Sequence, residues 1–172
     1  MQMSKRIYLA GPGVFYADPM KECEKLKAIC RSFGLEGIFP LDAALDISKL
    51  SKHEGARAIY DANIDLIRSC DGVMADMQAF RGPGMDGGTA FEMGFARALD
   101  LKIVGYDSDG NYLERTRRFY DGLSQKGDFE IDPNGLSVED FDLPDNLMMS
   151  CGADCVVGTA EEAAAWLKSV LQ

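Results

Sequence analysis

Apolar positions along the chain follow two alternating rhythms, one of short continuous runs and one of helical spacing. Arg6-Ile-Tyr-Leu-Ala10 is a β-rich run ended by Gly11-Pro12-Gly13, and over residues 19–33 Met20, Cys23, Leu26, Ile29 and Cys30 recur at helical period. Glu36-Gly-Ile-Phe39 predicts a second strand, stopped by Pro40-Leu41-Asp42. Residues 54–70 return to helical period through Ala58, Ile59, Ala62, Leu66 and Ile67. Asp71-Gly-Val-Met-Ala-Asp76 reads as a buried strand, and from Thr89 onward Ala90, Phe91, Met93, Phe95, Ala96, Ala98 and Leu99 predict a helix apolar nearly all round. Lys102-Ile-Val-Gly-Tyr106 and Asp154-Cys-Val-Val157 supply two more strands, with Thr159 capping an alanine-rich final helix. This alternation predicts an α/β fold, a five-stranded parallel sheet with helices on both faces.

Residues 107–150 break the rhythm. A short helix is expected over 112–124, followed by Asp132-Pro-Asn-Gly135 and the acidic stretch 138–146. An irregular connection of that length serves function or an interface. No internal repeat, low-complexity tract or linker divides the chain, so residues 1–172 read as one domain.

The loop 77–88 lies at the carboxyl end of a predicted strand, where open parallel sheets bind ligands, and it carries Asp86 toward the helix that holds Glu92. Glu92 is the only charge in that helix before Arg97. Thr89-x-x-Glu92 also fits a capping box, with Thr89 capping and Glu92 reaching back to a backbone N–H. The two readings are compatible, since a first-turn carboxylate is held ionised by the helix terminus and an ionised carboxylate in a partly dry pocket suits covalent attack. Asp86, on the loop, is free to take a different environment and a different proton role.

Composition removes several classes of function. With 18 basic against 28 acidic residues the net charge is −10, and no basic stripe concentrates positive charge, which disfavours a nucleic acid partner. Apolar runs fall short of a membrane span, and the expectation is a cytoplasmic protein. Five cysteines, Cys23, Cys30, Cys70, Cys151 and Cys155, form no C-x-x-C pair and read as reduced thiols. Cys151 and Cys155 could share a helix face, but His53 is the sole histidine, so neither a metal cluster nor a histidine-based triad is expected. Gly11-Pro-Gly13-Val-Phe-Tyr16 lacks the third glycine of a dinucleotide fingerprint, and no Walker lysine occurs.

Taken in order, Ile7-Tyr-Leu-Ala-Gly-Pro12, Pro40-Leu-Asp42, Asp71-Gly-Val-Met-Ala-Asp76, Phe80-Arg-Gly-Pro83, Asp86-Gly-Gly-Thr-Ala-Phe-Glu92-Met-Gly94 and Asn146-Leu-Met148 resemble the nucleoside 2-deoxyribosyltransferase family over nearly the whole chain. The resemblance implies a flavodoxin-like or Rossmann-like fold without cofactor or metal, and an enzyme moving 2-deoxyribose between purine or pyrimidine bases of deoxynucleosides. By analogy Glu92 is the nucleophile at C1′, Asp86 exchanges the proton with the base, and Tyr8 orients the nucleophile; two inversions retain the β-anomer. Gly11, Phe15, Asp42, Asn63, Arg81, Gly88 and Asn146 fall at substrate-binding positions. Asn146 matches an asparagine that reaches into a neighbouring subunit's pocket, which implies a homo-oligomer, at least a dimer with a shared site.

Two positions depart from relatives: Asn63 stands where several carry an aspartate, and Ala43-Ala44 follow Asp42 where a glutamine is usual. Two other readings stay open, an N-glycoside hydrolase acting on deoxynucleosides or their 5′-monophosphates, and a non-catalytic nucleotide-sensing module in which Glu92 only caps its helix.

Overall fold

A computed structural model describes residues 4–171. Five parallel strands form one sheet: β1 (Arg6–Ala10), β2 (Glu36–Ile38), β3 (Gly72–Asp76), β4 (Lys102–Tyr106) and the short β7 (Cys155–Val156), in the order β2-β1-β3-β4-β7. This is the flavodoxin-like order, with its topological switch between β1 and β3. Tyr8 lies opposite Ile38 in β2 and Val73 in β3.

Strand alternation divides the core into two layers. Ile7, Leu9, Met74 and Val104 face α1 (Pro19–Ser32) and α6 (Ala160–Val170), packing on Cys23, Leu26, Cys30, Ala163, Ala164 and Leu167. Tyr8, Ala10, Val73, Ala75 and Ile103 face α2 (Lys52–Arg68) and α3 (Gly87–Ala98), packing on Ile67, Met93 and Ala96. Asp18 caps α1 ahead of Pro19, and reciprocal capping boxes open α2 through Ser51 and Glu54 and α6 through Thr159 and Glu162. None of the described helices is long and apolar enough to cross a membrane.

The start of α3 departs from the sequence expectation. Asp86, not Thr89, is the N-cap: its Oδ2 accepts hydrogen bonds from the Thr89 backbone N–H at 2.8 Å and hydroxyl at 2.9 Å. Aspartate is among the strongest capping residues, and at Gly88 an added Cβ would lie 3.0 Å from Asp86 Oδ2. Glu92 therefore sits in the second turn, out of reach of a capping box, and is free to point elsewhere.

The irregular region also differs. α4 (Tyr112–Phe119) ends earlier than expected, where Asp121 (φ 53°) and Gly122 (φ 109°) leave helical conformation, and a hairpin of β5 (Ser124–Lys126) and β6 (Phe129–Ile131) follows, turning at Gly127 (φ 62°). The chain returns through the one-turn α5 (Leu147–Ser150). Cys151 ends α5 and Cys155 lies on β7, so the two do not share a helix face.

Candidate active site

The connections leaving β1, β2 and β3 converge at the carboxyl edge of the sheet, beside the switch point, and enclose a cavity of about 530 Å³. The turn after β1 contributes Gly11, Val14 and Phe15; the segment after β2 contributes Pro40, Leu41, Ala43, Ala44, Leu45 and Ile47; α2 contributes Ile59 and Asn63; and Asp86, Gly88 and Glu92 come from the start of α3. Asn63, Asp86 and Glu92 are the only polar side chains among these lining residues, and none of the lining residues is cationic.

Tyr8 approaches from beneath. Its ring is fully buried in the sheet, and its hydroxyl donates to Glu92 Oε1 at 2.6 Å. Burial and the adjacent Glu92 charge raise the phenol far above its ordinary range, so Tyr8 keeps its proton and acts as a fixed donor. Burial pushes Glu92 up from 4.5 to about 7; the Tyr8 hydrogen bond opposes that rise, and the charge of Asp86 adds to it. Contrary to the sequence expectation, Glu92 lies in the second turn rather than at the helix terminus, and removal from water raises it. The two carboxylates meet different surroundings: Asp86 is held by its two bonds to Thr89, whereas Glu92 is held by a tyrosine. Environments that differ in this way allow two carboxyl groups to take separate proton roles.

The remaining expected site residues divide into two groups. Gly11, Phe15, Asn63 and Gly88 line the cavity with Asp86 and Glu92. At Gly11 a Cβ would fall 2.9 Å from Asp76 Cβ, so only glycine lets the end of β1 pass this close to β3. Arg81, at φ 57°, is absent from the lining; its guanidinium lies 5.4 Å from the Phe15 ring centre and 4.7 Å from that of Phe80, which stack on each other. It braces the Phe15 wall.

Asp42 is likewise a bracing residue. Its carboxylate accepts from the Phe39 N–H at 2.9 Å and pairs with Lys27 at 2.6 Å, fixing the turn that carries Leu41. Asn146 lies outside this cavity, capping α5 through the Met148 N–H at 3.0 Å and donating to Glu139. The apolar wall of Leu41, Leu45, Ile47 and Ile59 was not anticipated. The clustering of Leu41, Leu45 and Ile47 within a polar stretch is the signal that could have revealed it; in the structure all four side chains are left 40–45% exposed.

Known proteins sharpen this picture. Residues 7–148 match the family model described as nucleoside 2-deoxyribosyltransferase. An uncharacterized protein of Schizosaccharomyces pombe is 32% identical over 116 residues, a match covering 66% of this chain and 55% of that protein, so the chain spans about half the length of this curated relative. Among solved structures, a 2-desoxiribosyltransferase from Leishmania mexicana superposes with a TM-score of 0.77 at 32% identity, covering 98% of this chain and 99% of that one. A 2-deoxyribosyltransferase from Bacillus psychrosaccharolyticus, at 18% identity and a TM-score of 0.58 over 92% of this chain and 90% of that one, shares the fold. With a family model spanning both the Tyr8 strand and the Asp86–Glu92 helix start, the chain belongs to the nucleoside 2-deoxyribosyltransferase family.

Proposed function

We propose that this protein transfers 2-deoxyribose between nucleobases through a covalent ester at Glu92. The observation that carries this reading is the Tyr8–Glu92 pair at a largely apolar cavity that also contains Asp86. A Glu92 carboxylate oxygen bonds to C1′ as the C1′–N bond breaks. The bond's electron pair goes to the base nitrogen, and Asp86 supplies the proton that neutralises the departing base. An incoming base then attacks C1′, gives up its proton to Asp86 and releases Glu92, so the β-configuration is retained. Tyr8 fixes one oxygen of Glu92 and leaves the other for bond formation.

The absence of cationic side chains among the described lining residues, together with two carboxylates, favours an uncharged nucleoside over a 5′-monophosphate. The apolar walls suit the faces of a base, and Asn63 can both donate to and accept from its edge. Incubating deoxyinosine with adenine tests the reading. Deoxyadenosine should accumulate; free deoxyribose without deoxyadenosine would make the protein a hydrolase, and neither product would leave a binding module.

For Asn146, outside its own protomer's cavity, the reading is that it completes a neighbour's site. Inactive Glu92→Ala subunits mixed with inactive Asn146→Ala subunits should then regain activity after subunit exchange, through sites that hold both residues intact. Proven exchange with no recovery would remove Asn146 from a shared site.

A further inference from the structure

Beyond the cavity, Arg115 of α4 and Asp145 form an ion pair with side chains 3% and 0% exposed. Arg115 Nη2 donates to Asp145 Oδ2 and to the Pro144 carbonyl, both at 2.5 Å, and Nη1 donates to the Met77 carbonyl at 3.1 Å. Asp145 in turn holds one amide from each of two segments: Oδ2 accepts the Met85 N–H at 2.9 Å and Oδ1 the Asn146 N–H at 2.7 Å. Met77 directly follows β3, and Met85 directly precedes Asp86, the cap of α3. One guanidinium–carboxylate pair therefore ties down both ends of the β3–α3 loop, although neither residue lines the cavity.

Stability alone is a weak reason for such a pair. Both charges are stripped of water and Arg115 Nε finds no partner among the described residues, whereas apolar side chains of similar volume would fill the space without that penalty. What apolar replacements could not do is hold the Met85 and Asn146 amides. We propose that Asp145, clamped by Arg115, is a positioning residue that sets Asp86 at the place from which it exchanges a proton with the base. This rests on the acid–base role given to Asp86 above.

Asp145→Asn keeps the volume but turns one acceptor into a donor, so the side chain can no longer serve Met85, Arg115 and Asn146 together. Two deoxynucleosides separate positioning from general damage: deoxyadenosine, whose base needs a proton to leave, and 7-methyldeoxyguanosine, whose cationic base leaves without one. With deoxyadenosine, Asp145→Asn should lower kcat roughly 10–100-fold, and any rise in KM, which would come through the Asn146 amide, should be the same for both substrates. With 7-methyldeoxyguanosine the loss should be several-fold smaller, and in an Asp86→Asn background Asp145→Asn should add little. Arg115→Lys, which keeps the charge but not the fork, should show the same substrate bias more mildly and serves if Asp145→Asn does not fold.

Equal losses on both substrates, or effects that multiply with those of Asp86→Asn, would reduce the pair to a structural one. If Asp86→Asn itself shows no difference between the substrates, it is the acid–base role of Asp86 that fails, and the positioning inference falls with it.

Discussion

Ile7 and Tyr8 are neighbours on β1, both fully buried, and they point into different kinds of interior. On the Ile7 side, α1 and α6 cover the sheet. Alanines at 160, 163 and 164 let α6 approach, and the thiol of Cys30 is pushed up to about 11 by burial, making it a packing group rather than a nucleophile. On the Tyr8 side, α2 and α3 pack on the sheet lower down, but at the carboxyl edge Ile59, Asn63, Glu92 and the residues after β2 surround a cavity. The candidate site occupies the place where packing stops on one face, while the other face supplies cohesion. Glu92 is the cost of that arrangement: a carboxylate drawn out of water and compensated by a single tyrosine donor among the described residues.

The largest expected break in this comparison is Glu92→Ala, which should abolish exchange while the protein remains folded. A 2-fluoro-2-deoxyarabinosyl nucleoside should leave a sugar-sized mass increment on the peptide containing residue 92 of the parent, and an increment elsewhere would refute the ester. Glu92→Gln sharpens the energetic side. The folded carboxyl sits at about 7 against an ordinary 4.5, so between these values the folded state binds more protons than the unfolded one, and stability falls as pH rises through the window. Removing the charge should therefore stabilise the protein above pH about 7, by at most about 3 kcal/mol, with the gain vanishing below pH about 4.5. Urea midpoints for both proteins at pH 8 and pH 4 measure this. A Glu92→Gln variant less stable than the parent at pH 8 would mean that the carboxylate is well compensated after all.

Tyr8→Phe is the next step down. Losing the hydroxyl removes the group that lowers Glu92, so the acid limb of the kcat/KM profile should move to higher pH, with roughly tenfold lower activity near neutrality and partial recovery at alkaline pH. An unmoved limb would separate Tyr8 from the ionisation of Glu92.

The parts of this arrangement legible in the sequence are those set by local patterning. β1, β3 and β4 are uninterrupted apolar runs because both their faces are covered, and the helices between them keep their period. The β5–β6 hairpin was hidden because Ser124–Lys126 is polar and exposed, with no alternation to mark a strand. The helix start at Asp86 was misread because Thr89 and Glu92 have capping-box spacing, and spacing alone does not reveal that a stronger cap lies three residues upstream. Within the site, Glu92, Asp86 and Tyr8 stood out as residue types in a pattern, but their hydrogen-bond partners did not. Asp42 and Arg81 show the limit: each sits beside the cavity, and each spends its charge on a neighbour. Arg115 gave no signal at all, since an arginine on a helix with a strong polar face reads as a surface residue until Asp145 is brought against it.

The smallest expected effect on the chemistry comes from the opposite face. Leu167 of α6 is fully buried and packs so closely on the sheet that a Cβ added to Gly72 would meet its Cδ2 at 3.0 Å. Leu167→Ala should lower unfolding stability by about 2–5 kcal/mol, because the sheet beneath cannot collapse into the space left behind. If the two faces divide their tasks as described, the surviving folded enzyme keeps its kcat and the position of its acid limb at temperatures well below the melting transition. The sheet is shared, however, and Val73, which pairs with Tyr8, is the immediate chain neighbour of Gly72. A shift of that limb with Leu167→Ala, matched against an unchanged profile for an exposed α6 substitution such as Lys168→Ala, would show that packing on the closed face sets the Tyr8–Glu92 distance and that the separation of the faces is only apparent.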